Sequence, residues 1–277
     1  MERLPPILIE QIFDELSIRD ALHASYVSRL WNAILRPYLY STYNINNYLK
    51  DFLPDPAPFL RVLRQTNGIL CGPKALAYFL PSLRVKTSDW ELRISGRYRG
   101  LVHEQLERQQ SFRLVTRNRD DLKATVVGLK DDYIFEGPNG KEVKLVMVAF
   151  GQDSSWFKPT RSLRIWSNST AKMNWISGWG AVCPYWDKTF EKSACLLTES
   201  KFDPQLEEEE HIANGIRVLG SEDRYGPIES FVFYFPWAGE ETSHVYLCSR
   251  EELTKEVWRY REFGIKEFRS AGVLDSH

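Results

Sequence analysis

Asp89 and Glu91 flank Trp90 at the start of a stretch, Trp90–Ser95, that reads as a β-strand. Side chains alternate along a strand, so the two carboxylates share one face, where they can hold a divalent metal. Gly72 lies upstream, just before a predicted helix at Lys74–Phe79. A phosphate would sit at the start of that helix. Metal and phosphate together are the one constellation in the chain with the residue types for group transfer. Hydrolytic chemistry has no comparable signature. His23, His103, His211, His244 and His277 are scattered, and neither a Gly-x-Ser-x-Gly elbow nor a His-Glu-x-x-His pair occurs. Cys71, Cys183, Cys195 and Cys248 show no zinc spacing and are expected as buried, reduced thiols. Cys71 precedes the helix start, where a thiolate would be stabilised, but has no histidine close to it in sequence.

Two further clusters have both a structural and a binding reading. Arg93, Arg97, Arg99, Arg108, Arg113, Arg117 and Arg119 are opposed between them only by Glu104 and Glu107. They form either a solvated face balanced by Asp120, Asp121, Asp131 and Asp132, or a receiver for an acidic peptide or phosphate. Trp166, Trp175, Trp179, Tyr185 and Trp186, beside Gly178 and Gly180, are either core or anchors in a partner groove. The acidic run Glu207–Glu210 reads as an exposed loop or helix end.

The elements that must position these groups follow from periodicity. Leu8, Ile9, Ile12, Phe13 and Leu16 recur at helical spacing behind Pro5 and Pro6. Ser17-Ile18-Arg19-Asp20 resembles a capping box for a second helix. A third is expected from Tyr26 through Leu35, stopped or kinked by Pro37. Pro54, Pro56 and Pro58 then mark an extended, semi-rigid linker. Beyond it, helices are expected at Phe59–Gln65, Lys74–Phe79, Leu101–Gln110, Ala171–Phe190 and Glu251–Phe263. Strands are expected at Trp90–Ser95, Ser111–Thr116, Ala124–Leu129 and Leu163–Trp166. A hairpin turns at Tyr133–Gly140 into Glu142–Phe150, and a strand pair joins Ile216–Leu219 to Ser230–Phe235. The fold class is α+β. No apolar run approaches the ~20 residues of a membrane span, and no secretory leader is expected. The net charge of −1 gives no drive toward nucleic acid or an anionic membrane.

Leu4-Pro5, Leu8, Ile12-Phe13, Leu16 and Val27-Ser28-Arg29-x-Trp31, in that order and spacing, resemble the F-box motif. The resemblance implies a substrate-recognition subunit of a Skp–cullin–F-box ubiquitin ligase. Leu4, Pro5, Leu8, Ile12, Leu16, Val27 and Trp31 would then bind a Skp-type adaptor, and through it a cullin. Residues 1–45 would be the F-box, 46–58 the linker, and 59–277 an α+β domain that receives an unidentified protein target. The ligase chemistry would belong to other subunits, with no cofactor here and a cytoplasmic or nuclear location.

Cys71-Gly72-Pro73-Lys74-Ala75-Leu76-Ala77-Tyr78-Phe79, followed by Ser88-Asp89-Trp90-Glu91, is similar to the Gly-Ser turn, helix and Asp-x-Asp/Glu pair of nucleotidyltransferase-like proteins, most closely fungal ones. Met173–Trp186 looks similar to a helical stretch of the same group. The resemblance implies that Gly72, Asp89 and Glu91 are vestiges of nucleotidyl transfer, in a fold of that type without the activity. Pro73 stands where a serine would contact phosphate, and it has neither hydroxyl nor N–H to donate. Two-metal transfer also needs a third carboxylate on a neighbouring strand. The candidate strand carries only Glu142, at its start, and Lys144 within it. A magnesium-dependent enzyme and an F-box scaffold outside a ligase are the alternatives.

Overall fold

Ser28 separates the first two well-defined helices. In the computed structural model the described residues are 5, 8, 11–13, 16, 18–80, 90–118, 129–138, 140–148, 169–178, 180–196, 204–219, 229–234 and 244–249. Helix α1 spans Ile18–Val27 and α2 spans Arg29–Thr42. The Ser28 hydroxyl accepts a hydrogen bond from the Trp31 amide at 3.2 Å, capping α2. Residues 8 and 11–13 are helical and pack with this hairpin. Phe13, Ala21 and Leu35 form its small core, with Leu16, Ala24, Ile34, Tyr38 and Leu39 around them. Pro37 does not stop α2. Leu35, Tyr38 and Leu39, on both sides of it, engage the core and offset the hydrogen bond the proline removes.

The chain then departs from the expected extended linker. Residues 46–58 carry most of helix α3 (Ile45–Lys50) and the start of α4 (Pro56–Thr66). Ile45, Leu49, Phe52 and Leu53 are buried in the main core. The prolines had signalled a spacer, but Pro56 merely opens a helix, where its missing N–H costs nothing. Hydrogen bonds tie this junction to the body, among them one from the Lys141 ammonium to the Asp51 carbonyl. The Tyr78 hydroxyl donates to the Tyr43 carbonyl at 2.6 Å, and that of Tyr48 to the Lys74 carbonyl at 2.5 Å. Gln110 and Asp55 exchange two hydrogen bonds, of 2.7 and 3.1 Å.

Among the described residues nine strands form the main sheet: β1 (Ile69–Cys71), β2 (Trp90–Ser95), β3 (Arg113–Asn118), β4 (Leu129–Glu136), β5 (Glu142–Val148), β6 (Trp175–Ser177), β7 (Gly180–Cys183), β10 (Glu229–Tyr234) and β11 (His244–Ser249). Their order is β11-β10-β7-β6-β1-β2-β5-β4-β3, and only β2 and β5 run parallel. The short strands β8 (Ser193–Cys195) and β9 (Arg217–Leu219) make a separate parallel pair. Alternate residues Trp90, Leu92 and Ile94 of β2 and Val143, Leu145 and Met147 of β5 enter the main core, the two-residue period of a pleated strand. Helix α5 (Pro73–Phe79) follows β1. The stretch after β2 coils through α6 (Arg99–Glu104) and one π-type segment, Gln105–Gln109. The result is a mixed α+β body behind a helical amino-terminal unit.

Three expectations about elements are corrected. Ala171–Phe190 is not a broken helix, and Met173–Trp186 is not helical throughout. A short 3₁₀ turn (Thr170–Met173) leads into the β6–β7 hairpin and then α7 (Trp186–Phe190). Its apolar density comes from strands buried along their length, which periodicity does not separate from a buried helix. Strand β9 pairs with β8, and β10 with β7 and β11, so the expected pairing of the two tail strands does not form. Strand β11 went unread. Leu163–Trp166 and Glu251–Phe263 lie outside the described residues, as does Ala124–Leu129 apart from its last residue.

Gly178 marks where α4 meets the β6–β7 turn. A Cβ there would lie 2.4 Å from the Arg64 backbone nitrogen and 2.5 Å from the Leu60 carbonyl oxygen. Backbone on both sides cannot yield, and the Arg64 Nε–H donates to the Gly178 carbonyl across the same contact. Gly178→Ala is expected to cost about 1–3 kcal/mol by overpacking, read in a thermal melt as a fall of several degrees.

Candidate functional site

Gly72 and Glu91 do come together. Antiparallel pairing of β1 and β2 sets Cys71 opposite Glu91, and a Cβ on Gly72 would stand 3.8 Å from the Glu91 Cβ. Gly72 turns with φ +82° into α5, a conformation glycine adopts without strain. Asp89 lies outside the described residues. Glu91 and Arg93 alternate with the core-facing residues of β2, and the Arg93 Nε–H donates to a Glu91 carboxylate oxygen at 2.5 Å. Lys144 of β5 is in register with Glu91. Burial alone would push the Glu91 carboxyl up, but the Arg93 charge and hydrogen bond, Lys144 and the Cys71 thiol hold it below the usual carboxylate range. This carboxylate is neutralised by protein cations, and a metal would have to displace them. Among the described residues no group of three His, Cys, Asp or Glu side chains is placed to hold a metal ion. Of the two carboxylates expected to hold magnesium, the described one, Glu91, is already paired with Arg93. Burial, and then the Glu91 charge, raise the Cys71 thiol well above its ordinary range, which disfavours the thiolate.

Among the described arginine side chains, each takes its own partner, and Arg119 lies outside the described residues. Arg108 pairs with Glu104 at 2.9 Å and Arg113 with Glu136 at 2.6 Å. Arg99 donates to the Tyr133 hydroxyl at 3.2 Å, and Arg97 lies over the Tyr98 ring. Trp175 and Trp186 are buried and Tyr185 half-buried, whereas Trp166 and Trp179 lie outside the described residues. Glu207–Glu210 sits within α8 (Pro204–Ala213), where Glu210 pairs with Lys172 at 2.7 Å.

The helical hairpin is different, because it leaves apolar side chains uncovered. Leu8 is 43% exposed, Ile12 46%, Val27 76%, Leu30 68% and Trp31 39%, against 2% for Phe13 and 0% for Leu35. Leu8 and Ile12, four residues apart on a helical stretch, point the same way. Val27, Leu30 and Trp31 bracket the α1–α2 corner. The Trp31 ring meets Phe13 edge-on, with centroids 6.0 Å apart, joining this corner to the buried core. Exposed apolar side chains on so small a unit are candidates for contact with another protein.

Residues 1–46 match the F-box-like family model. F-box domains typically bind Skp-type adaptors. No curated protein and no solved structure matches the chain. Within the F-box-like segment the structure sorts the motif positions that the sequence left mixed. Pro5, Leu8, Ile12, Val27 and Trp31 face outward, Leu16 is half-buried, and Leu4 lies outside the described residues. Leu30 joins the outward set, although it was expected only as one residue of the third helix, Tyr26 through Leu35. Its signal was position: it falls in the first turn after the Ser28 cap, beside Trp31.

Proposed function

We propose that the chain is the substrate-recognition subunit of a Skp–cullin–F-box ubiquitin ligase. In this reading the F-box-like segment docks a Skp-type adaptor, the adaptor brings the cullin, and the body receives the protein to be modified, in cytoplasm or nucleus. The observation that carries it is the uncovered set Leu8, Ile12, Val27, Leu30 and Trp31 within the segment that matches the F-box-like family. The adaptor-binding residues are that set with Leu4, Pro5 and Leu16. Residues 1–45 act as the docking unit and the remainder as receptor, the junction being packed rather than free.

For the body we propose a fold like that of the nucleotidyltransferase-like proteins, because β1, the Gly72 turn, α5 and Glu91 on the adjoining strand follow one another in the order of that resemblance. The Arg93–Glu91 pair and Lys144 favour such a fold without metal chemistry.

Co-expression of the full chain with a Skp-type adaptor and a cullin separates the readings. Co-elution of all three on size exclusion is the expected result. Adaptor without cullin would move the chain to a scaffold outside a ligase. Failure to hold the adaptor at micromolar concentration would overturn the reading.

A further inference from the structure

Three unfavourable features share one short segment between α6 and β3. Gln105–Gln109 is wound as a π-type turn, so the Gln110 N–H reaches back to the Gln105 carbonyl at 3.1 Å. The Gln105 side chain is buried, and its Nε2 has no hydrogen-bond partner among the described residues. Ser111 stands at φ +57°, a left-handed conformation that is costly for a residue with a Cβ. What the arrangement achieves lies at its end. Gln110 is fully buried, and its side chain makes both hydrogen bonds to Asp55. Phe112 packs against Phe52, with ring centroids 5.5 Å apart, and against Gly137, where a Cβ would come within 2.8 Å of the ring. An α-helix turns about 100° per residue, so without the extra residue of the π turn Gln110 would point well away from Asp55.

We infer that residues 105–112 are a strained latch on the joint between the helical amino-terminal unit and the body. Closed, as here, the latch holds the stretch between α3 and α4 to the body through Asp55 and Phe52. Open, the π turn relaxes to α-helical register, Ser111 leaves the left-handed region, and Gln110 swings off Asp55. Strained conformations persist only where surrounding contacts hold them, and the contacts that hold these belong to the joint. The strain released on opening offsets part of the hydrogen bonding lost, so the joint opens while the sheet stays folded. The latch stands apart from the ligase reading, since it needs only the amino-terminal unit and the body.

Amide hydrogen exchange of the full chain, read by mass spectrometry, is the test. Gln110→Ala is expected to speed exchange across residues 51–66 by about tenfold or more, with β2 and β5 unchanged. Ser111→Gly carries the opposite sign. Glycine takes the left-handed conformation without strain, so the closed latch is favoured and exchange in the same stretch slows by at least about threefold. A segment that merely fills space would give no such slowing. Unchanged exchange across residues 51–66 in either variant overturns the inference. So does a change shared equally by β2 and β5, because the joint would then open only with the whole fold. If Gln110→Ala does not fold, Ser111→Gly decides alone by the same two outcomes.

Discussion

Ile12→Asp combined with Leu30→Asp is expected to weaken adaptor binding by about a hundredfold or more, with a melting temperature close to that of the unaltered chain. Fully burying one such side chain is worth about 1.5–3 kcal/mol. Ile12 is about half exposed and Leu30 two-thirds exposed before any partner arrives, so only part of that remains to be gained. The two together would contribute roughly 1.5–3 kcal/mol, and a carboxylate forced into each contact adds a desolvation cost of at least about 1 kcal/mol. Since about 1.4 kcal/mol is tenfold, the sum comes to two decades or more. Folding is spared because neither residue belongs to the Phe13–Ala21–Leu35 core, and an acid in the first turn of α2 suits the helix dipole. Isothermal titration calorimetry against the adaptor, with a thermal melt of each protein, makes the check. Phe13→Ala is the contrast: it should cost about 3–5 kcal/mol of local stability, so any loss of binding would come with melting of the hairpin. If the double variant keeps full affinity, the outward face is not the docking surface.

Glu91→Gln is expected to destabilise the body by about 3 kcal/mol, the low end for breaking a buried ion pair because Glu91 retains some exposure. Arg93 is buried and would keep its charge after losing the carboxylate. The pH dependence has a definite sign. The Glu91 carboxyl is lowered in the folded chain, so its contribution to stability is complete above the ordinary value of 4.5 and is lost as pH falls through the lowered folded value. Denaturant titrations at neutral pH and in the acid range should therefore show the variant's deficit shrinking as the solution is acidified. A metal-binding carboxylate would behave otherwise: its removal would abolish magnesium affinity and relieve repulsion. A variant as stable as the unaltered chain, with a magnesium heat lost on substitution, would restore the enzymatic alternative.

Local patterns carried much of the architecture. Strand β2 was legible because apolar and polar residues alternate from Trp90 to Ser95. The β4–β5 hairpin was legible from its Gly-Pro-Asn-Gly turn between two strand-like runs. Helices α4 and α5 showed through Phe59, Val62 and Leu63 and through Leu76 and Phe79. Where the sequence misled, tertiary packing overruled a composition signal. Leu49, Phe52 and Leu53 sit next to a proline-rich stretch, yet they plug the main core. Around Trp175 and Val182 the chain is apolar on every side, which is what two central strands and a buried helix have in common. The inward and outward sides of α2 were not separable for a similar reason. Leu30, Trp31, Ile34 and Leu35 fall on one continuous apolar stripe, and only the position of Phe13 reveals which of them is core. Glu91 looked like half of a metal pair because its partner Arg93, two residues on, can neutralise it only once the strand is formed.

The tight joint between Tyr43 and Asp55 sets a direction. Helix α2 runs without interruption from the Ser28 cap to Thr42, and the next turn is pinned through Tyr43 to Tyr78. A cargo held on the body would thus travel at one bearing from whatever grips the hairpin, like a load on a welded bracket rather than on a rope. On the ligase reading proposed above, selection among a target's lysines would then be a matter of aim.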